Sequence, residues 1–368
     1  MCDSTQLVLY VIIIFSNSVY ALAAPLLPLL FDGMELPGSW VGLIFSMYSI
    51  AMILVSPALG TILDVVGQSN LLAIGLFAMG AAILGLGCLK DSQNNLTVFT
   101  SALFFRAIQG IASASLNTTC YAIAANKYPE QTEYMVGMLE AMSGIGLIVG
   151  FMGGSYIFAT LGFEMTYFVF GGMLPVVAVI VRIAFGCIDS QANGPLEQHL
   201  LPEESAAVTP QSSPRSTDNE IASTQAGGPV TGDRHVTYVE LLKCPRIVFA
   251  AISCCLSNVV FSAMEPVLAL RMVDFSLTSV QTGVILSIFP LVYIFGTLLT
   301  PCIPARVDKR VTLMSSALLM GIFNVFIGPS QMFALPETLV LVVIGLVMSG
   351  SCMAPMTIPV LPEMIDAS

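Results

Sequence analysis

The sequence predicts an all-α, polytopic membrane protein, and three observations carry that expectation. Of 368 residues, 56% are hydrophobic and only 10% charged, against about 25% charged in an ordinary soluble domain. The apolar residues fall in runs of about 20, long enough to cross a hydrocarbon core of about 30 Å as helices. Within these runs no period-two alternation appears, which excludes a membrane barrel.

Taken in order, the runs are Leu7–Leu30, Trp40–Leu63, Leu71–Leu89, Val98–Ala125, Met135–Leu161 and Tyr167–Phe185. A polar stretch follows, and then Ile247–Leu270, Val280–Ile303, Val311–Ile327 and Leu339–Leu361. The first is read as a span and not as a cleaved signal peptide, because no Lys or Arg precedes it and the run is too long. The chain therefore divides into a six-helix bundle at 1–186, a linker at 187–245 and a second bundle at 246–368 in which four helices are present. The linker is rich in Ser, Thr, Gln and Glu and carries Pro210 and Pro214. Such a composition buries too little apolar surface to fold, so it is expected to be a disordered cytoplasmic tether, with phosphorylation of its serines as an alternative role.

Basic residues set the orientation, because Lys and Arg are retained on the cytoplasmic side. With the N-terminus inside, that side holds Lys127, Arg182, Arg215, Arg234, Lys243, Arg246, Arg306, Lys309 and Arg310, and the other side only Lys90 and Arg271. Residue 368 is then cytoplasmic too. Asn95-Leu96-Thr97 reads as an N-glycosylation acceptor on the lumenal or extracellular face.

The net charge of −11 lies largely in the linker and loops, and no basic patch with interleaved aromatics is present, so nucleic acid is excluded as a partner. The 9 cysteines form no CxxC pattern and the only histidines are His199 and His235, so neither a metal nor a cofactor is expected. With no set of nucleophile, base and orienting group, an enzyme is excluded as well.

Charged side chains within a span cost about 2.5 to 3.5 kcal/mol each at the bilayer centre, so the survivors mark function. Arg106 lies in span 4, and Gln109, Ser113 and Asn117 follow it on the same helical face. That stripe reads either as a buried arginine bonded to neighbouring carbonyls or as a cavity wall meeting substrate or a counter-carboxylate. Glu265 lies in span 7, with Asn258 and Ser262 on its face and Pro266 directly after it, where a kink frees a carbonyl. A carboxyl group in low dielectric exchanges a proton more readily unless a cation keeps it ionised, which are the two states a proton-coupled carrier of cations needs; the alternative is a structural pair with Arg or Lys. Glu140, near the start of span 5, reads equally as a gating group or as an interfacial carboxylate favoured by the helix dipole. Gly146, Gly150 and Gly154, with Gly144 and Gly153 beside them, permit close helix approach, either as static packing or as a seam that opens and closes. Tyr10, Asn17 and Tyr20 share a face of span 1, whose end at Pro25 and Pro28, like span 10 with Pro355, Pro359 and Pro362, reads as irregular helix lining a cavity. Asn324 has no assigned role.

Three motifs stand together: Gly60-Thr61-Ile62-Leu63-Asp64-Val65-Val66-Gly67 between spans 2 and 3, Arg106-Ala107-Ile108-Gln109-Gly110 in span 4, and Gly150-Phe151-Met152-Gly153-Gly154 in span 5. As a set they resemble the signature of the major facilitator superfamily, and the span 5 glycines resemble those of its drug and amine antiporters. Glu265-Pro266-Val267-Leu268 and Leu361-Pro362-Glu363-Met364 are similar to the vesicular amine transporters, especially their polyamine branch. The resemblance implies two six-helix bundles around a midplane cavity, exchanging protons for an organic cation by rocking. It implies that Arg106 and Glu265 face that cavity, Glu265 holding the amine or the proton; Asn17, Asn258 and Gln109, on the polar faces of spans 1, 7 and 4, are read as further substrate or proton contacts. Asp64, Gly60 and Gly67 would form a cytoplasmic latch, with Arg306 and Asp308 as its counterpart in the second half. Gln68 and Ser69 replace the basic residues that usually follow the latch glycine, and Phe151 replaces a proline. Ser16 stands where the monoamine carriers have an aspartate, which argues against monoamines.

The function implied is proton-coupled antiport of amines or polyamines by a monomer in the plasma membrane or an organelle membrane, with the small-molecule cation, protons and the lipid bilayer as its partners. A uniporter or symporter of another solute, or a non-transporting relic of the fold, are the alternatives. Because the superfamily's bundles have six helices each and the second half has four, a truncated product lacking two helices is expected, a reduced carrier being the alternative, since the loss would expose a polar interior to lipid.

Overall fold

The computed structural model describes residues 4–32, 38–91, 94–192, 245–300, 309–328, 336, 338–358 and 360. The expectations for Arg306, Asp308 and nearly all of the linker lie outside the described residues. Among the described residues ten α-helices follow one another: α1 (Ser4–Asp32), α2 (Gly38–Val66), α3 (Gln68–Gly87), α4 (Asn95–Lys127), α5 (Thr132–Ile148), α6 (Gly154–Ala192), α7 (Pro245–Asp274), α8 (Ser279–Leu299), α9 (Lys309–Ile327) and α10 (Leu339–Thr357). Among the described residues there is no strand, and 8 stretches are long and apolar enough to cross a membrane. One of these, Tyr134–Gly186, joins the fifth and sixth spans, and Val311–Ile327 is a shorter apolar helix.

Local chemistry sets several of the boundaries. The Asn94 side chain accepts from Leu96 N at 3.1 Å and caps α4, so the Asn95 acceptor sits in the first helical turn. Thr278 and Gln281 form a reciprocal capping box at α8, satisfying amides that have no partner within the helix. Gly67, at φ 83°, is the single residue between α2 and α3. The fifth and sixth spans are separated by no loop. The chain turns on Gly162, at φ 82° and ψ −178°, a conformation that is essentially restricted to glycine. Gly162→Ala is expected to lower stability by about 1–3 kcal/mol; thermal unfolding of the purified variant checks this, and an unchanged midpoint would refute the strain. Span 1 differs from the irregular end expected of it, since α1 runs through Pro25 and Pro28 to Asp32. Leu22, Leu26 and Leu27 are fully buried there, so packing holds the helix where proline removes a backbone hydrogen bond.

α1 lies at the centre of the molecule, packed on α4, α5 and α6 of its own bundle and on α7 and α8 of the other. Conversely, Leu54, Phe104, Phe249 and Met314 are exposed, as suits helices facing lipid. The two bundles meet chiefly along α5 and α8, and glycines make that approach possible. A Cβ on Gly146 would lie 2.5 Å from Ile14 O, on Gly150 2.3 Å from Ser18 O and on Gly154 2.3 Å from Leu22 Cδ1, so these three seat α1. Gly144 faces the other way, with Ile294 of α8 2.6 Å from its hypothetical Cβ, and a Cβ on Gly283 of α8 would lie 2.4 Å from Phe151 O. Between α5 and α6, residues Val149–Gly153 form one π-helical turn, a departure from α geometry that is frequent at functional sites.

Candidate functional site: a cavity between the bundles

The α1, α2, α4 and α5 helices on one side and α7, α8 and α10 on the other line a cavity of about 710 Å³. Its polar wall includes Asn17, Tyr20, Tyr48, Asn117, Asn258 and Tyr293, and its aromatic wall includes Phe45, Phe261 and Phe289. Among the described residues Glu140 is the one charged side chain in this wall, and no Lys, Arg or His contributes to it. Concave, mainly apolar surfaces with a few convergent polar groups are the usual form of a small-molecule site.

Two polar clusters stand beside the cavity, and each ties one bundle to the other. In the first, Tyr20 of α1 donates to Glu265 Oε2 of α7 at 2.6 Å. Glu265 is buried and its Oε1 has no partner. Tyr20 and Tyr48 pack ring to ring at 4.8 Å, and Tyr48 donates to Ser113 Oγ at 2.6 Å, which also accepts from Asn117 Nδ2 at 3.2 Å. Arg106 donates to Gln109 Oε1 at 3.0 Å and lies over the rings of Phe45 and Tyr48 at 5.0 and 5.5 Å, in the range of a cation–π contact. Arg106 Nε and Gln109 Nε2 remain without partners. Buried polar atoms left unpaired cost about 1–3 kcal/mol each, and three of them fall in this one cluster.

The stripe read from α4 is thus real as geometry: Arg106 meets Gln109, and Ser113 meets Asn117. Arg106 bonds a side chain on its own helix, not a neighbouring carbonyl, and it makes no ion pair with Glu265. Both charged groups sit one side-chain layer behind the cavity wall, which Tyr20 and Tyr48 form in front of them. Asn17 and Asn258 do reach the wall, while their amide nitrogens donate back to Ile13 O and Cys254 O on their own helices at 2.9 and 2.8 Å. Ser262, on the Glu265 face, comes within 3.5 Å of Ser49 Oγ across the bundles.

The second cluster is centred on Glu140. Tyr121 of α4 donates to its Oε1 at 2.5 Å and Tyr293 of α8 to its Oε2 at 2.6 Å. Arg106 and Tyr121 are about 22 Å apart along α4 at the helical rise of about 1.5 Å per residue, so the clusters occupy different depths. Because α5 starts at Thr132, Glu140 lies more than two turns inside it, beyond the reach of the N-terminal dipole, which fades within the first turn. The dipole therefore does not account for this carboxylate; two phenols do.

Asp64, Gly60 and Gly67 are not brought to the cavity. Asp64 and Gly67 are exposed at the α2–α3 turn, where Arg182 donates to Ser69 Oγ at 3.2 Å. Asn324 donates to Met320 O on its own helix. Tyr48, Tyr121 and Tyr293 went unremarked in sequence, since a tyrosine in an apolar run is indistinguishable from bulk filler until its hydroxyl has a partner. Their one signal was registration, each lying on a span that also carries polar residues.

The chain matches the sequence model of the Major Facilitator Superfamily over residues 7–367. It belongs to that superfamily. Among similar proteins, the human (Homo sapiens) MFS-type transporter SLC18B1 is 22% identical over 359 residues, covering 96% of this chain and 69% of the relative. Multidrug resistance protein 2 of Bacillus subtilis (strain 168) is 26% identical over 181 residues, covering 47% and 42%. The crystal structure of a D-xylose-proton symporter superimposes with a TM-score of 0.62 at 10% identity, covering 95% of this chain and 79% of that one; at that identity it bears on fold alone. A multi-pass major facilitator protein with helices from both halves around a shared cavity is a transporter and not an enzyme.

Proposed function

We propose that this major facilitator chain is a proton-coupled antiporter of small organic cations, amines or polyamines, acting by alternating access. The observation that carries the reading is Glu265: a buried carboxyl with one oxygen on Tyr20 and the other unpartnered, behind a cavity wall that contains a carboxylate and aromatic faces and, among the described residues, no basic side chain. Such a wall repels no cation and offers several π faces to one. Glu265 exchanges the proton, Tyr20 relays its state to the wall, and Arg106 with Gln109 balances the charge behind it. Asn17 and Asn258 supply polar contacts to the substrate. Glu140, Gly150 and Gly154 belong to the moving seam between the bundles, and Asp64, Gly60 and Gly67, with Arg306 and Asp308, to a latch on the cytoplasmic face. The protein works as a monomer in the plasma membrane or the membrane of an acidic organelle, with its N-terminus and residue 368 in the cytoplasm, and Asn95 is glycosylated.

Uptake of radiolabelled amines and polyamines into proteoliposomes with an acidic interior tests this. Accumulation that collapses when the pH gradient is dissipated is the expected result. Uptake indifferent to the gradient would indicate a uniporter, and uptake that needs the opposite gradient a symporter; either would overturn antiport.

A further inference from the structure

Glu140 presents a chemical problem that the Glu265 site does not solve. Both of its oxygens accept from phenols, at 2.5 and 2.6 Å, the pattern of an ionised carboxylate, and neither donor carries a charge. Among the described residues no basic side chain stands in the same wall. A negative charge in an apolar span with no countercharge is costly, and here it faces a cavity large enough for a ligand. Amide groups of Asn17, Asn117 and Asn258 and the faces of Phe289 and Tyr293 line the same space, providing oxygen acceptors and π surfaces, the partners an ammonium group seeks.

We propose that Glu140 is a second cation subsite of the cavity, taking an alkylammonium group in place of the Tyr293 phenol. An ammonium N–H and the Tyr293 O–H compete for the same carboxylate oxygen, and the charged donor makes the stronger bond. Tyr293 belongs to α8 and Glu140 to α5, the two helices along which the bundles meet. The displaced phenol keeps a partner in its own bundle, Thr357 Oγ1 at 3.4 Å, so release costs it little and removes a polar tie across the seam. Arrival of the cation at Glu140 thereby unfastens the contact beside Gly144, where α8 packs against α5. This rests on the cavity being a path for cations, and not on protons being the coupling ion.

The test has two arms, both on the full chain. In the first, equilibrium binding of tritiated benzylammonium is measured in lipid nanodiscs. Glu140→Gln is expected to weaken binding about tenfold, the loss of one charge-assisted contact, whereas Tyr293→Phe, which removes the competing donor, strengthens it. A purely structural clasp would move both variants in the same direction, and that outcome, or unchanged affinity in Glu140→Gln, overturns the subsite. The second arm needs no substrate. Cys255 is exposed and lines the cavity, and its labelling rates with cationic and anionic methanethiosulfonates are read by peptide mass spectrometry. Glu140→Gln is expected to reduce the cationic-to-anionic ratio about tenfold, and an unchanged ratio overturns the subsite. If the parent chain binds no benzylammonium while the ratio falls as expected, the amine reading fails and the Glu140 subsite stands.

Discussion

Glu265→Gln is expected to abolish accumulation of an organic cation against an imposed pH gradient while leaving the chain folded. Glutamine is nearly isosteric with glutamate, and its amide oxygen still accepts from Tyr20, so the contact now at 2.6 Å between α1 and α7 survives. What disappears is the ability of a buried group to gain and lose a proton at the oxygen that has no partner. Coupled uptake therefore falls to background, while exchange of labelled for unlabelled cation without a gradient persists, because that cycle needs no proton movement. Measuring both in the same proteoliposomes separates loss of coupling from loss of protein. A glutamine variant that accumulates substrate with the parental pH dependence would remove Glu265 from the proton path.

The second large effect concerns the glycines of the span 5 motif, which look alike in sequence and differ in structure. At Gly150 a methyl group would meet Ser18 O at 2.3 Å and Ala21 Cβ at 2.6 Å, whereas at Gly153 nothing lies within 4 Å. Backbone cannot move aside as a flexible side chain can, so Gly150→Ala must push α1 away from the seam. Overpacking of this kind costs about 1–3 kcal/mol and occasionally more, and since α1 touches both bundles the upper end is expected, together with loss of transport. Gly153→Ala should stay within about 0.5 kcal/mol of the parent, as for an uncrowded surface position. Thermal unfolding of the two purified variants decides the matter. Equal behaviour would mean that the approach of α1 to span 5 is looser than the structure has it.

Much of the fold was legible in the residues before any coordinates. Each of the ten apolar runs is helical in its described residues, because an apolar run of that length must be helical in a bilayer whatever its neighbours are. Among the motif residues, Gly110, Gly150 and Gly154 stand where a Cβ would collide with a neighbouring helix, which is the physical reason for glycine there. Boundaries were read less well. The gap between Leu161 and Tyr167 is a one-residue turn on Gly162, and the prolines of α1 do not interrupt it; both outcomes depend on packing that a single span does not reveal. The site was legible in its charged members and in a few polar ones, since Asn17, Tyr20, Asn117 and Asn258 line the cavity. Arg106, Glu265 and Glu140 stood out by the cost of burying them, while Tyr48, Tyr121 and Tyr293 did not, because a phenol is tolerated in a span at little penalty.

Composition and run length by themselves determined that this is a helical membrane protein, since insertion depends on local hydropathy and on hydrogen bonds closed within each helix. They also determined which charges call for an explanation. Only the tertiary structure decided which partners answer them: that Tyr20 reaches Glu265 across the bundles, that Tyr121 and Tyr293 share Glu140, and that Gly150 is crowded where Gly153 is free. Hydrogen bonds and steric contacts act over about 3 Å, and groups hundreds of residues apart come within that distance only when the helices pack.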